Sequence, residues 1–285
     1  MPIDFEHVFY TYQAGSPFAS SALEDICLHI DDGEFVALIG HTGSGKSTLG
    51  QQINALLRPT EGRVKAGDFV VDSKEKKTKG LKNLKKYAGL VFQFPEYQLF
   101  EETVLKDVAY GPKNFGDDDK IAEEKARKAL RLVGIEENLF ERSPFELSGG
   151  QKRRVAIAGI IALEPKILIL DEPTAGLDPR GSQEMMDLFS SIHRQGTTIL
   201  LITHDMDIVL KYADRAIVMS KGKIISDSTP LELFRKEALI EKYNIHEPLV
   251  LQFAKELIQG GLELDLYEIC DMDSLVKEIR RCYHG

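Results

Sequence analysis

The residues with the densest chemistry are GHTGSGKST at 40–48. Gly40, Gly43 and Gly45 let a backbone wind tightly, so that successive amide hydrogens point at phosphate oxygens. The start of a helix behind them adds a positive partial charge. Lys46 has the reach to meet β- and γ-phosphates, and the Ser47 hydroxyl suits Mg²⁺. The whole run, Gly40, His41, Thr42, Gly43, Ser44, Gly45, Lys46, Ser47 and Thr48, is the candidate triphosphate cradle. Its match to G-x-x-x-x-G-K-[ST] carries meaning only between a strand and a helix. FVALIG at 35–40 reads as a short buried strand. Leu49, Ile53, Leu56 and Leu57 keep helical spacing after the loop, and RPTEG at 58–62 ends that helix.

ILILDE at 167–172 supplies carboxylates at a strand's carboxyl end, where ligands bind in such sheets. Asp171 can hold Mg²⁺ directly or through water, and Glu172 can accept a proton from an attacking water. Alone, two acids after a strand read as well as helix-cap residues; beside a phosphate loop the catalytic reading takes precedence. His204 follows the apolar run TTILLIT and would share a sheet edge with Asp171, within reach of a γ-phosphate. Gln93 ends AGLVFQ, with a side chain able to orient water or ligate Mg²⁺; taken alone it reads equally as a loop glutamine.

LSGGQ at 147–151 is a second phosphate-holding shape, opening a helix expected from about Gly150 to Leu163. It carries no lysine of its own. A helix N-cap with a flexible Gly-Gly accounts for Ser148 by itself.

The elements that must position these residues alternate. IDFEHVFYTY has a period near two, and QAGSPFASS is a turn-rich connection. KILILD, TTILLITH and RAIVMSKGKII are three further strand candidates. Ile121, Ala122, Ala126, Ala129, Leu130 and Val133 predict a helix over 119–133, stopped by Gly134. Strands alternating with helices imply a mostly parallel α/β sheet. Beyond about residue 230, LELFRKEALIEKY predicts one helix, HEP interrupts, and LVLQFAKELIQG predicts another; residues 262–285 give no clear pattern.

The 285 residues are 43% hydrophobic with a net charge of −9, an acidic balance that argues against general nucleic-acid binding. Cys27, Cys270 and Cys282 are scattered, which suits a reducing cytosol and suggests neither a disulfide framework nor a zinc site. MPIDFEHVFY has no signal-peptide pattern. No apolar run approaches the ~18–20 residues that cross a bilayer, so a membrane role must run through a partner. KEKKTKGLKNLKK at 74–86 reads as a solvated loop and helix face, with contact to an anionic membrane or acidic partner as the alternative.

GHTGSGKST, Gln93, LSGGQ, ILILDE, GLD at 176–178 and His204 stand in the order and approximate spacing of an ATP-binding-cassette ATPase. The resemblance covers residues 1 to about 235. It implies an α/β P-loop NTPase core with a mostly parallel sheet, an N-terminal antiparallel β subdomain and an inserted α-helical subdomain at about 95–163. Residues 236–285 would form a small C-terminal helical extension. It also implies ATP and Mg²⁺ as cofactors, with Ser47, Gln93 and Asp171 as metal ligands and Glu172, His204 and Gln93 as catalytic residues. Tyr12 would stack on adenine, although Tyr10 lies two residues away on the same strand face. In that family two cassettes meet head to tail. Ser148, Gly149, Gly150, Gln151 and Asp178 would then serve the partner's nucleotide, whose lysine comes from the partner.

HTGSGKST, VFQFPEYQLFEETV, FELSGGQKRRVAIAG and LDEPTAGLDP further resemble the ATPase subunits of energy-coupling-factor transporters, most of all the second of their two paired ATPases. That resemblance implies a second ATPase subunit, a transmembrane coupling subunit, an indirect link to a substrate-binding membrane subunit, and a peripheral place on the cytoplasmic face of the membrane. The transported cargo would be a vitamin or metal ion, and no nucleic acid would be bound. Arg153 stands where glutamine is common across cassettes, and Ala175-Gly176 where Ser-Ala is frequent; both are typical of the energy-coupling subfamily. The alternatives are another importer ATPase, a soluble cassette protein and a kinase. A soluble cassette protein would need long coiled-coil arms or two cassettes, and a kinase gives LSGGQ no role.

Overall fold

Alternating and continuous apolar runs sort this chain into two sheets. The computed structural model describes residues 2–75 and 80–284. β1 (Ile3–Tyr12), β2 (Ser20–Ile30) and β3 (Phe35–Ile39) lead to the phosphate loop and α1 (Lys46–Ile53). β4 (Glu61–Ala66), β5 (Phe69–Asp72), α2 (Leu81–Tyr87) and β6 (Ala88–Val91) follow. Next come α3 (Val104–Asn114), α4 (Asp119–Leu132) and α5 (Gly149–Ile161). β7 (Ile167–Asp171), α6 (Pro179–His193), β8 (Thr198–Ile202) and α7 (Met206–Tyr212) then alternate. β9 (Arg215–Ser220), β10 (Lys223–Ser228), α8 (Pro230–Phe234), α9 (Glu237–Lys242), α10 (Leu249–Gln259) and α11 (Met272–His284) close the chain.

One sheet is antiparallel, in the order β2-β1-β4-β5. The other runs β10-β9-β3-β8-β7-β6 and is parallel except for β10. Its central strands β3 and β8 are buried along their whole length, which explains why they read as unbroken apolar runs. β3 touches three separate cores. Phe35 belongs to the core that holds Leu130, Phe140 and Phe189, the layer built around α3 to α6. Val36 and Leu38 share a core with Ile3, Phe5 and Val64 of the antiparallel sheet. Ala37 and Ile39 belong to the core that also holds Val209, Leu233, Phe234, Val250 and Leu275. The helices beyond residue 236 therefore share a core with the strand that enters the phosphate loop.

Four local expectations change. α1 stops at Ile53, before Leu56 and Leu57; Ala55 has φ 54 and Leu56 is exposed, so the apolar spacing continues into a turn. RAIVMSKGKII is not one strand but the hairpin β9–β10, turned at Lys221 and Gly222, both with positive φ. LELFRKEALIEKY forms two short helices, α8 and α9, split at Arg235 and Lys236. The unassigned tail contains α11. In the lysine-rich stretch 74–86, residues 76–79 lie outside the described residues; Lys82 and Lys85 are exposed on α2.

Candidate functional site

The phosphate loop is built against the β9–β10 turn. Gly40 has φ 141, and a Cβ there would lie 2.1 Å from the Met219 carbonyl oxygen. Gly45 has φ 104, with a Cβ position 2.5 Å from the Ala22 carbonyl oxygen. At both positions only glycine fits the backbone and the space together. The Gly222 amide donates to the Ser44 carbonyl at 3.0 Å, and the Ser44 amide donates to the His41 carbonyl. Lys46 Nζ donates to the carbonyls of Gly40 (2.7 Å) and His41 (2.9 Å), which holds the ammonium across the loop. Burial pulls the Lys46 ammonium down, with Glu172 and Asp171 acting in the opposite direction.

Thr42, Gly43, Gly45, Lys46, Ser47, Thr48, Gln93, Asp171, Glu172 and Ile202 line one cleft of about 390 Å³. Ser47 donates a hydrogen bond to Asp171, whose carboxyl is pushed up by burial against that bond and against Lys46. Glu172 adopts φ 50, a conformation that costs a non-glycine residue free energy and recurs at functional sites. Its amide is fixed to the Ile202 carbonyl at 2.9 Å. Its Oε1 lies 2.9 Å from Nδ1 of the exposed His204, so acid and histidine form one unit at the cleft edge. The Tyr12 hydroxyl is 2.9 Å from Thr48 Oγ1, and its ring meets Tyr10 edge-on at 4.8 Å. Of the two tyrosines Tyr12 is the more exposed, while Tyr10 packs on the core.

The residues fit a Mg²⁺–triphosphate. Gly45, the residue capping α1, gives the helix no side-chain acceptor. An ammonium, a hydroxyl and two carboxylates converge on the same cleft.

Ser148, Gly149, Gly150, Gln151 and Asp178 do not line this cleft. Ser148 caps α5 in a reciprocal box: its Oγ accepts from the Gln151 amide, and its own amide donates to Gln151 Oε1 at 3.0 Å. Gly149 and Gly150 are exposed, and Cβ atoms there would meet nothing within 4 Å. Asp178 caps α6 through the Gly181 amide at 2.7 Å. The chain thus presents a lysine-bearing phosphate cleft and, outside its lining, an exposed helix terminus with open space around its two glycines.

A family model for the ABC transporter matches residues 23–175. The chain belongs to that family. It is 53% identical to the energy-coupling factor transporter ATP-binding protein EcfA2 of Streptococcus agalactiae, over 93% of this chain and 94% of that one. Identity to EcfA2 of Lactococcus lactis subsp. cremoris is 56%, over 91% and 90%. Among solved structures, cbiO1 from Clostridium perfringens, described as part of the ABC transporter complex cbiONQ, superposes with TM-score 0.73 at 39% identity, covering 90% of this chain and 98% of that one. The cassette MJ0796, solved as a dimer in a post-hydrolysis state with ADP and phosphate, gives TM-score 0.68 at 29% identity over 80% and 98%. This cassette is therefore an ATP-binding, ATP-hydrolysing module with the P-loop fold.

Two supports of the cassette site were not singled out from sequence. The first is Gly222, which braces the phosphate loop from far along the chain; its cue in sequence is the Ser-Lys-Gly turn inside the run RAIVMSKGKII. The second is the partnership of Arg153, noted only as an unusual residue type. Its Nε and Nη2 donate to the two oxygens of Glu96 at 3.2 and 3.1 Å, and its Nη1 donates to the Ala175 carbonyl at 2.6 Å.

Proposed function

We propose that the chain is the ATP-hydrolysing, energising subunit of an energy-coupling-factor importer, which drives uptake of vitamins or metal ions through a transmembrane coupling subunit. The carrying observation is the division of labour within the fold. Lys46, Ser47, Asp171, Glu172 and His204 gather at one cleft, while the Ser148–Gly150 terminus lies elsewhere, exposed and lysine-free. Head-to-tail pairing with a second ATPase, a copy or a paralogue, brings each such terminus onto the other's γ-phosphate. The names of the EcfA2 relatives, matched over more than nine-tenths of the chain, support the importer class.

In this reading the loop amides and Lys46 hold the β- and γ-phosphates, and Tyr12 stacks on adenine. Glu172 accepts the proton of the attacking water, and His204, bonded to it, sets its orientation and meets the γ-phosphate. Ser47, Asp171 and Gln93 would hold Mg²⁺, which supplies charge neutralisation at the phosphates. The partner's Ser148 hydroxyl and glycine amides complete the donor set, and closure excludes water. Asp178 lies at the seam. Residues 1–235 serve as the nucleotide-binding domain, 95–163 as its helical subdomain and 236–285 as an extension.

No helix among the described residues is long and apolar enough to cross a membrane. Docking falls to the segment after Gln93, where Phe94, Tyr97 and Phe100 are exposed beside Tyr110. Such a cluster of aromatic rings suits a helix of the coupling subunit at the cytoplasmic face of the membrane. Phe100→Asp is expected to reduce co-purification of the membrane partner while ATP titration remains as in the wild type. Undiminished partner recovery would overturn the docking assignment.

A further inference from the structure

Three loops that the proposed cycle must move together meet at one buried side chain. Arg153 lies just past the first turn of α5 and is 4% exposed. Its guanidinium forks onto both carboxylate oxygens of Glu96, in the helical turn Pro95–Gln98 that carries the exposed Tyr97 and is flanked by Phe94 and Phe100. Its third contact is the carbonyl of Ala175. Ala175 lies between Glu172 and Asp178 in two consecutive turns, Ala175 N to Glu172 O and Leu177 N to Thr174 O, both at 3.1 Å. The guanidinium carbon is 5.8 Å from the centre of the Phe94 ring. At its own end, α5 is fixed to Ser148 by the reciprocal cap.

We propose that Arg153 is a positioning residue: it ties the Ser148 helix, the 94–100 docking segment and the loop from Glu172 to Asp178 into one rigid body. This rests on the reading that 94–100 is the docking surface. A partner that shifts Glu96 cannot do so without carrying α5 and the Ala175 carbonyl, because a buried ion pair separates only at the cost of leaving a charge unsolvated. The shape of the group matters as much as its charge. A planar guanidinium can hold a carboxylate with two donors and a carbonyl with another, whereas an ammonium has no such fork. Docking outside the nucleotide cleft thereby reaches the cap for the partner's ATP and the loop behind the candidate base.

The test cuts the strut from both ends, with Arg153→Gln, Glu96→Gln and the double variant, each first checked for a cooperative thermal transition. Hydrogen–deuterium exchange is followed on the purified ATPase dimer with and without ATP. In the wild type, ATP is expected to slow exchange at both 174–178 and 94–100. In the variants the slowing at 94–100 is lost, and the double variant is no worse than either single one, as expected for two ends of one contact. Equal slowing of 94–100 in the folded double variant, or none in the wild type, would overturn the proposal. In vesicles holding the full transporter, substrate uptake per ATP hydrolysed is expected to fall roughly tenfold, within the range for coupled sites, with KM for ATP unmoved. A proportional loss of uptake and hydrolysis would also count against the strut. Failure of the wild-type chain to support any uptake would sink the importer reading and leave the exchange result standing.

Discussion

Gly149→Asp separates folding from function with opposite signs. Gly149 is the first residue of α5, it is exposed, and a Cβ there meets nothing within 4 Å. An aspartate at that position sits at the positive end of the helix and should stabilise the chain by about 0.3–1 kcal/mol. In the proposed head-to-tail dimer the same carboxylate faces the γ-phosphate held by the partner's lysine. Two unit charges at ~4 Å, in the effective dielectric of a protein surface, repel by about 4 kcal/mol. The helix-end attraction is present with or without nucleotide and does not offset this, so the loss is roughly three decades in rate at about 1.4 kcal/mol each. In the proposed pairing the cap acts in trans, so turnover should fall at the site whose lysine belongs to the partner, while this chain's own cleft still binds ATP. Steady-state hydrolysis by the reconstituted dimer reads the loss, and thermal unfolding of the isolated chain reads the gain. Gly149→Ala is the control for size: it adds a methyl group without the charge, so its loss of turnover should be smaller than that of the aspartate. Unchanged hydrolysis by a folded Gly149→Asp dimer would mean that this terminus never meets a nucleotide.

Glu172→Gln keeps the shape beside His204 and removes the proton acceptor, so turnover should drop about 10²–10⁴-fold while size-exclusion chromatography shows a dimer that persists in ATP; a monomer at saturating ATP would refute the sandwich. Burial holds the Asp171 carboxyl above its ordinary value, so its charged form burdens the ATP-free fold at neutral pH, and that burden vanishes once pH falls below the unfolded value. Asp171→Asn should therefore raise Tm near pH 7 and lose the advantage towards acid, with Lys46 still facing Glu172; a difference independent of pH would contradict this. Gly40→Ala drives a Cβ onto the Met219 carbonyl and should cost about 1–3 kcal/mol in backbone strain alone, readable as a lower urea midpoint.

The parts of this fold legible in sequence were those whose cause is local. FVALI, ILILD and TILLI are buried on both faces and could only be continuous apolar strings. The glycines at 40 and 45 have positive φ and no room for a Cβ, and the helix after LSGGQ begins with its own capping residues. Tertiary context decided the rest. Leu56 and Leu57 keep helical spacing yet leave the helix, because Ala55 turns the chain away. The β9–β10 hairpin hid in one apolar run because its turn, Lys221-Gly222, is only two residues long. At the site, motifs named the cleft residues, but Glu172 with His204 and Arg153 with Glu96 pair across 32 and 57 positions of sequence, and no window along the chain contains both members.

The strand β3 ends where the phosphate loop begins, and its five side chains are divided among the helical layer, the antiparallel sheet and the C-terminal layer. Loosening any one of the three removes support from the same short segment of backbone. A deletion near residue 275 and a bulky substitution in the first strand should then report alike, as weaker grip on nucleotide, although each lies far from it in the chain. The terminal extension is in this sense a buttress behind the triphosphate cradle, and trimming it to obtain a minimal cassette should alter the property such a fragment is made to measure.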